Sequence, residues 1–311
     1  GVPRTAYITM FEWKWDDVAK ECTNYLGPKG FKAVQVSPPM EHGVGGEWWR
    51  LYQPVSYSLN GRLGTRQQFQ SMISTCQTAG VDVYVDTVIN HMAAVSGTGS
   101  AGNTWTVRNF PSVPYSESSF HASCSITNAD YSSNRSNVMN CGMVGLPDLN
   151  TGTAYVQGKI AGYMNDLLGL GVKGFRIDAA KHIHDAEIRA ILNQVPGTYF
   201  VTQEIIRDGV TPVADYIKNG TINEFNYIYA MKNAFRKLDG QSLSGLNTIL
   251  NPAGTNPWSN LASANATVFI GNHDTERKAG ECEVAGNGTA VRTASQLQTC
   301  DSLNAYNGQL Y

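Results

Sequence analysis

The sequence predicts an α/β protein whose parallel strands and crossover helices form a TIM-type (β/α)8 barrel. Short apolar runs alternate with helix-like segments along most of the chain, as in successive strand–helix–strand units. The apolar runs are nearly continuous, which indicates strands that are buried on both faces. The 311 residues also exceed the ~250 typical of such a barrel, so the chain has room for an insertion.

Seven strands and six helices are predicted in alternation. The strands are Ala6–Met10, Ala33–Val36, Asp82–Asp86, Gly174–Asp178, Tyr199–Glu204, Ile222–Phe225 and Ala266–Ile270. The helices are Asp16–Leu26, Arg66–Ala79, Ala154–Leu168, Ala186–Leu192, Val213–Ile217 and Ile228–Leu238. After the third strand, residues 92–150 are rich in Ser, Asn and Gly and too long for an ordinary connection. We expect an irregular subdomain there, inserted into a barrel formed by residues 1–91 and 151–311.

Composition restricts the class of partner. The chain is 42% hydrophobic and 15% charged, with a net charge of -2 and no basic stripe. We therefore expect no nucleic acid and no anionic membrane as partner, and a neutral substrate. No apolar run approaches the ~20 residues of a membrane span. Because the opening segment already resembles a first strand, we expect a processed form. We also expect a secreted, extracellular protein that is a monomer.

The cysteine pattern indicates disulfide bonds. None of the six cysteines forms a CxxC pair, which argues against zinc and thioredoxin-like chemistry. Disulfides in a secreted protein are favoured, with buried free thiols as the alternative. The expected pairs are Cys22–Cys76 in adjacent helices, Cys124–Cys141 within the insertion and, by elimination, Cys282–Cys300.

Polar side chains follow four of the predicted strands, at the ends where barrel enzymes place their chemistry. These residues are Asp86, Asn90 and His91 after the third strand, Arg176, Asp178, Lys181 and His182 at the fourth, Glu204 at the fifth, and His273 and Asp274 at the seventh. Singly, each Asp is explained as well by a helix cap, and each His by a structural role. Four such clusters at one topological position favour a functional site.

Carboxylates that converge without the spacing of a Ser/His/Asp or Cys/His site point to glycoside hydrolysis. In that reaction one carboxylate attacks the anomeric carbon, and a protonated one gives the leaving oxygen its proton. Arg176, two residues before Asp178, would hold that carboxylate ionised and oriented. Ionised groups are rarely kept at the end of a buried strand, so this pair indicates function rather than packing.

Four short segments resemble, in order, the signature regions of the alpha-amylases of glycoside hydrolase family 13: DVYVDTVINH, GFRIDAAKH, QEII and FIGNHD. Further segments resemble the animal and actinobacterial members: FEWKWDDVAKEC, YLGPKGFKAVQVSPP and WWRLYQPVSYSL. The resemblance runs from about Thr5 to Arg277. It implies endo-acting hydrolysis of alpha-1,4-glucosidic bonds in starch, glycogen and malto-oligosaccharides, with retention of configuration.

The resemblance implies a role for each matching residue. Asp178 would be the nucleophile, Glu204 the general acid/base, and Asp274 a third carboxylate that binds the distorted sugar ring. Residues that would contact substrate are Trp48, Trp49, Tyr52, Gln53, His91, Arg176, Lys181, His182 and His273. Trp48, Trp49 and Tyr52 would belong to an aromatic platform for the apolar faces of glucose rings, with core packing as the alternative interpretation of Trp48 and Trp49.

The resemblance also implies a structural calcium ion. Its ligands would be the side chains of Asn90 and Asp148 and the backbone carbonyls of Met139 and His182. Such a mixed set of oxygen ligands suits calcium. From the sequence alone, a turn or cap explains Asp148 equally well.

Chloride binding stays open. Arg176 and Asn272 match two ligands of the family's chloride site. Many members without chloride carry the same two residues, and the third ligand would be a basic residue beyond Tyr311.

We expect the chain to be C-terminally incomplete, without the eighth strand and the C-terminal β-sandwich. After Ile270 no strand-like apolar run follows, whereas members of the family continue there into the last strand. The segment Lys278–Tyr311 resembles nothing in the family pattern.

Two other functions remain as alternatives. A transglycosylase of the same fold would use the same carboxylates, because water and a sugar hydroxyl compete for the same glycosyl-enzyme. A catalytically silent glucan-binding protein is the other alternative, and the complete set of Asp178, Glu204 and Asp274 argues against it.

Overall fold

The structure is a computed structural model that describes residues 4–247 and 261–274, and the chain divides into two compact units, Gly1–Thr221 and Ile222–Tyr311. The strands are β1 Tyr7–Met10, β2 Ala33–Val36, β3 Asp82–Thr87, β4 Gly97–Thr98, β5 Thr104–Trp105, β6 Gly174–Ile177, β7 Phe200–Gln203, β8 Thr221–Asn223 and β9 Ala266–Thr267. The α-helices are α1 Trp15–Glu21, α2 Gly27–Lys29, α3 Arg66–Thr78, α4 Asp130–Ser133, α5 Arg135–Asn140, α6 Ala154–Gly169, α7 Asp185–Leu192, α8 Val213–Tyr216 and α9 Phe225–Arg236. Shorter helical turns are the π-helix Cys22–Leu26 and the 3-10 turns Trp48–Tyr52, Glu117–Ser119, Ala180–His182, Ile217–Asn219, Leu243–Gly245 and Ser263–Asn265.

Parallel strands form the core of the first unit in the order β1–β2–β3–β6–β7. Every residue of β2 and β6 is buried, as the continuous apolar runs of the sequence predicted. Gly174 opens β6 where a side chain would not fit, because a Cβ there would lie 2.5 Å from Cδ1 of Tyr84. The missing side chain leaves room for the Tyr84 ring, which stacks on Phe200 of β7.

The seven predicted strands are all present, and the differences lie at their ends. The strand predicted to reach Phe225 stops at Asn223, because the Glu224 side chain accepts a hydrogen bond from the Asn226 amide and caps α9. The last predicted strand is reduced to Ala266–Thr267. Capping side chains and loop hydrogen bonds thus end strands where the apolar run in the sequence continues.

The segment between β3 and α6 is irregular, as expected for an insertion. Apart from the antiparallel pair β4–β5 and the short helices α4 and α5, it consists of turns and isolated bridges. Polar contacts hold it: the buried Glu41 carboxylate accepts hydrogen bonds from the Ala101 and Asn103 amides and from the Asn103 side chain. The boundaries of the insertion at residues 92 and 150 stay a prediction.

The second unit contains one pair of parallel strand segments and a small apolar cluster on helix α9. Ile222 and Asn223 pair with Ala266 and Thr267. A small apolar cluster is formed by Ala230, Met231 and Ala234 of α9, with Tyr227 and Leu246 packed against it. None of the helices within residues 4–247 and 261–274 is long and apolar enough to cross a membrane.

The structure contains the disulfides Cys22–Cys76 and Cys124–Cys141. The first joins the π-helix after α1 to α3, and the second closes a loop within the insertion. The third expected pair, Cys282–Cys300, lies outside the described residues, as does the segment Lys278–Tyr311.

Removal of the disulfides should destabilise the protein in proportion to the length of the loop that each one closes. Cys22 and Cys76 are 54 residues apart and Cys124 and Cys141 are 17 apart. In the chain-entropy account these loops correspond to about 4 and about 3 kcal/mol of unfolding free energy. Urea unfolding of the Cys22→Ala/Cys76→Ala and Cys124→Ala/Cys141→Ala proteins should show the larger loss for the first pair. The opposite order would contradict the loop-length explanation.

Protonation of His42 should also destabilise the folded state. Burial lowers the pKa of His42 below its usual value near 6.5, and its Nε2 already accepts a hydrogen bond from the Arg62 amide at 3.0 Å. As pH falls, the unfolded chain therefore takes up a proton on His42 at a higher pH than the folded protein does. The free energy of unfolding should thus decrease below about pH 6.5. In urea unfolding at about pH 7.5 and about pH 5, His42→Gln should lose less stability than the wild type. Equal losses in the two proteins would show that His42 does not cause the effect.

Candidate active site

Neighbouring parallel strands place three acidic residues at one edge of the first unit's sheet. Asp86 in β3 lies directly opposite Arg176 in β6 in the strand register. Asp178 and Glu204 are the first residues beyond β6 and β7. The Glu204 amide donates to the Ile177 carbonyl at 2.9 Å, so the hydrogen-bond ladder still fixes the backbone at this point.

The Arg176 guanidinium holds these carboxylates together. Its Nη1 donates to Asp86 Oδ1 at 2.6 Å and to Asp178 Oδ1 at 2.8 Å, and its Nη2 lies 2.6 Å from Glu204 Oε1. Arg176 is only 4% exposed, and all three carboxylates are buried as well. Three acidic groups therefore share one buried cation.

The electrostatics of this cluster follow from its burial. Burial alone would lower the pKa of Arg176, but the negative charges of Asp86, Glu204 and Asp178 hold it well above its usual range. Burial and the neighbouring Glu204 charge raise the pKa of Asp178, against the opposing effect of Arg176. Burial likewise raises the pKa of Asp86. Arg176 is thus permanently charged, while Asp86 and Asp178, whose pKa values are raised, retain a proton more readily than ordinary carboxyl groups do.

A strained residue follows Asp178. Ala179 has φ 48° and ψ 34°, the left-handed conformation, which costs a residue with a Cβ roughly 1–2 kcal/mol. In this conformation the Ala179 amide donates to Glu204 Oε2 at 2.9 Å. The strain therefore coincides with a hydrogen bond that fixes the second carboxylate of the site.

Tyr52, His91 and Asn90 form a hydrogen-bonded chain beside the cluster. The Tyr52 hydroxyl donates to Asp86 Oδ2 at 2.7 Å, and His91 Nε2 lies 2.8 Å from the Tyr52 carbonyl. Burial lowers the pKa of His91 to about 4, so at neutral pH His91 is uncharged and donates through Nε2. Its Nδ1 then accepts from Asn90 Nδ2 at 3.3 Å, and this contact turns the Asn90 side-chain oxygen away from His91.

The predicted aromatic platform lies on the 3-10 turn Trp48–Tyr52. Trp49 is 39% exposed, and the Arg50 guanidinium covers one face of its ring at 4.8 Å. Trp48 is half-buried, with its ring near those of Phe11 and Tyr52. Trp49 is therefore not a core residue, and core packing does not account for it. The neighbouring Gln53 accepts a hydrogen bond from the Ala94 amide.

Lys181 and His182 lie on the turn after Asp178 and are both engaged by protein groups. Lys181 Nζ donates to the Ile206 carbonyl at 3.0 Å and lies 3.3 Å from Asp208 Oδ2. His182 Nδ1 lies 2.8 Å from the Val138 carbonyl. Burial lowers the pKa of His182 to about 4, so the neutral ring donates through Nδ1 and joins the turn to helix α5.

Of the residues expected to bind calcium, Asn90 and Asp148 are brought together by backbone pairing. The Leu149 amide donates to the Asn90 carbonyl at 3.0 Å, beside a bridge between His91 and Asp148. Asp148 Oδ2 lies 2.6 Å from His121 Nδ1, and its Oδ1 is buried without a hydrogen-bond partner. Burial raises the pKa of Asp148 to about 6.

An oxygen site for a hard cation fits these observations. A buried carboxylate oxygen without a partner carries a desolvation cost that a cation would remove. Met139 follows Val138, whose carbonyl contacts His182, so both expected carbonyl ligands belong to one contact between α5 and the Ala180–His182 turn. In the described part of the chain no cluster of three or more His, Cys, Asp or Glu side chains suits a metal. The site would therefore depend on amide and carbonyl oxygens, as calcium sites do.

The remaining predicted residues belong to the second unit. Asn272 Oδ1 accepts a hydrogen bond from the Asp274 amide at 3.1 Å. His273 is buried, with its Nε2 3.6 Å from Asp274 Oδ2. The roles of these three residues beside Asp178 and Glu204 stay predictions.

Three features of the site were missed from the sequence. The contact of Tyr52 with Asp86 joins residues 34 apart, the left-handed Ala179 carries no sequence signal, and His121 lies in a segment without periodicity. Asp86 itself was recognised only as a strand-end carboxylate. Its pairing with Arg176 follows from the β3–β6 register, which the sequence does not specify.

Comparison with known proteins identifies relatives along most of the chain. It is 47% identical to an alpha-amylase of Streptomyces violaceus over 272 residues, which are 86% of this chain and 46% of that protein. It is 44% identical to an alpha-amylase of Tribolium castaneum over 297 residues, which are 89% of this chain and 58% of that protein. The chain thus spans about half the length of the curated relatives it matches.

Solved structures confirm the predicted class of fold, a TIM-type barrel. Alpha-amylase I of Eisenia fetida matches with a TM-score of 0.83 at 34% identity, over 98% of this chain and 64% of that one. A variant of the same Eisenia fetida enzyme is known in complex with maltohexaose. The family model for the alpha-amylase catalytic domain matches residues 24–243. With this match over most of its length, the chain belongs to the alpha-amylase family.

Proposed function

We propose that this chain is the catalytic barrel of an enzyme that hydrolyses alpha-1,4-glucosidic bonds within starch, glycogen and malto-oligosaccharides, with retention of configuration. The observation that carries the proposal is the contact of one buried guanidinium, Arg176, with the carboxylates of Asp178 and Glu204 at adjacent strand ends. A retaining glycosidase needs two carboxyl groups close together on opposite sides of the scissile bond.

Asp178 is the nucleophile and Glu204 the general acid/base. Asp178 attacks the anomeric carbon while the protonated Glu204 gives its proton to the leaving glycosidic oxygen, so that a covalent glycosyl-enzyme forms. Glu204, now a carboxylate, takes a proton from water, and the water oxygen displaces Asp178 from the anomeric carbon. The sequence of steps needs one proton shared by two carboxyl groups. Burial raises the pKa of Asp178, and the positive charge of Arg176 opposes that rise and so favours the ionised form that attacks.

Residues around this pair bind and distort the sugar. From the family resemblance, His91, His273 and Asp274 are proposed to contact the sugar ring at the cleavage point. Trp49 presents an exposed aromatic face, which suits the apolar faces of a neutral glucan. Lys181 and His182 form part of the wall on the leaving-group side.

Calcium is the proposed ion, held by Asn90, Asp148 and the carbonyls of Met139 and His182. It would link the insertion to the barrel. Chloride binding at Arg176 and Asn272 is not part of the proposal, because three carboxylates already contact the Arg176 guanidinium. The unpartnered Asp148 oxygen supports the calcium site. The disulfides favour an oxidising, extracellular location for the protein, which we propose to act as a monomer.

Product analysis of the full-length enzyme on soluble starch and maltoheptaose tests the function. Hydrolysis with retention should release short malto-oligosaccharides whose reducing ends are first seen as the α-anomer by NMR. Chain lengthening in place of hydrolysis would identify a transglycosylase. Starch that is bound but unchanged would identify a silent glucan-binding protein, and either result would refute the proposal.

Asp178→Asn should abolish turnover without abolishing binding. An amide cannot form the glycosyl-enzyme, so kcat on maltoheptaose should fall by several orders of magnitude, while starch binding persists. The matched control is Asp166→Asn, which removes a carboxylate from a half-exposed ion pair with Arg66. Near-normal turnover of Asp178→Asn, with the control also active, would refute its role as nucleophile.

Asp148→Asn should remove most of the stabilisation by calcium. A calcium ion that binds only the folded state raises the free energy of unfolding by about 2.7 kcal/mol when its concentration is 100 times Kd. We expect the midpoint of thermal unfolding of the wild type to rise when calcium chloride replaces EDTA, and to change little in Asp148→Asn. Asp166→Asn is the control, since it removes one carboxylate of helix α6 from the half-exposed ion pair with Arg66. A full calcium response in Asp148→Asn would exclude this residue as a ligand.

A further inference from the structure

Arg135 joins three segments that are far apart in sequence. It is the first residue of helix α5 in the insertion. Its Nη1 donates to the Lys181 carbonyl at 2.6 Å and to the Thr211 hydroxyl at 3.2 Å, and its Nη2 donates to the Tyr216 hydroxyl. The guanidinium carbon also lies 5.8 Å from the centre of the Tyr216 ring.

The Lys181 side chain closes these contacts into a circuit. Lys181 Nζ lies 3.3 Å from Asp208 Oδ2, and the same carboxylate oxygen accepts a hydrogen bond from the Thr211 hydroxyl at 2.9 Å. Thr211 in turn accepts from Arg135, whose other contact is the Lys181 carbonyl. We call Arg135, Lys181, Asp208 and Thr211 the Arg135 circuit.

The circuit joins the two loops that leave the catalytic carboxylates. Lys181 is three residues after Asp178, and Asp208 and Thr211 are four and seven residues after Glu204. Each loop begins at a strand end, where the hydrogen bonds of the sheet fix the backbone. The Arg135 circuit restrains each loop a few residues further along the chain. Displacement of either loop would change the distance between the two carboxyl groups, to which the reaction is sensitive.

A lysine cannot replace Arg135 in this position. The guanidinium has donors in a planar fork, and one nitrogen reaches the Lys181 carbonyl while the other reaches the Tyr216 hydroxyl. An ammonium group on a flexible stem is a single point and cannot span both acceptors. The three acceptors are neutral oxygens, so the shape of the donor matters more than its charge.

We propose that Arg135 is a positioning residue for the glycosidase reaction, which holds the Asp178 and Glu204 loops at a fixed separation through the Arg135 circuit. The inference rests on the proposed function, because it assigns Arg135 a part in the same reaction. It also makes the insertion a contributor to the geometry of the catalytic pair.

The test compares Arg135→Met, Arg135→Lys and the control Arg66→Gln, which breaks a half-exposed ion pair away from the circuit. With maltoheptaose, we expect kcat of Arg135→Met to fall on the order of tenfold to hundredfold with little change in KM. Arg135→Lys should recover little of this loss, and Arg66→Gln should retain wild-type kcat. If Arg135→Met fails to fold, Arg135→Lys provides the same comparison.

Hydrogen exchange gives a readout that does not depend on activity. In Arg135→Met and Arg135→Lys, amides of residues 205–211 and 179–183 should exchange at least tenfold faster, while those of β2 and β3 are unchanged. Equally faster exchange in all these segments would mean general destabilisation and would overturn the proposal. Unchanged kcat in both variants would also overturn it. A wild type that does not hydrolyse glucans would refute the proposed function instead, and the exchange data would still show whether Arg135 holds the two loops.

Discussion

The first unit depends on one buried cation. A charge such as that of Arg176 is expensive to bury, and the cost is met only because each side of its guanidinium faces a carboxylate at hydrogen-bond distance. The planar shape of the group is essential, since one compact ammonium could not reach oxygens on β3, β6 and the end of β7 together. Asp86, which carries no proposed chemical step, is therefore as necessary to the site as the reacting pair, because it anchors Arg176 from the neighbouring strand.

A chain of hydrogen bonds connects Arg176, through Asp86, to other residues of the site. Asp86 accepts from the Tyr52 hydroxyl, the Tyr52 carbonyl accepts from His91, and His91 accepts from Asn90. The aromatic turn and the expected calcium ligand are thus linked to the same charge cluster by hydrogen bonds. Such a chain is sensitive at every member, because removal of one partner leaves a buried polar group without its hydrogen bond.

The sequence predicted the parallel strands well because burial on both faces leaves a direct trace, a short continuous run of apolar residues. It also placed Asp178 and Glu204 at strand ends, since strand ends follow from strand positions. It could not predict the contacts of the insertion. Those contacts run from side chains such as Glu41 and Arg135 to backbone or hydroxyl groups, and they have neither a period nor a fixed spacing. The left-handed Ala179 was equally invisible, because alanine gives no sign of that conformation. Asp274 was found as a strand-end residue, but the role expected for it came only from the family resemblance.

The partners of Arg135 also set an order of assembly during biosynthesis. They follow it in the chain by 46, 76 and 81 residues. A nascent chain emerges from the N-terminus, so the insertion leaves the ribosome well before the groups that will hold it against the barrel exist. In that interval the disulfide between Cys124 and Cys141, only 17 residues apart, is a local restraint that can already form. A disulfide that forms during synthesis would then constrain the insertion first, and docking onto the barrel would wait until Tyr216 has been synthesised.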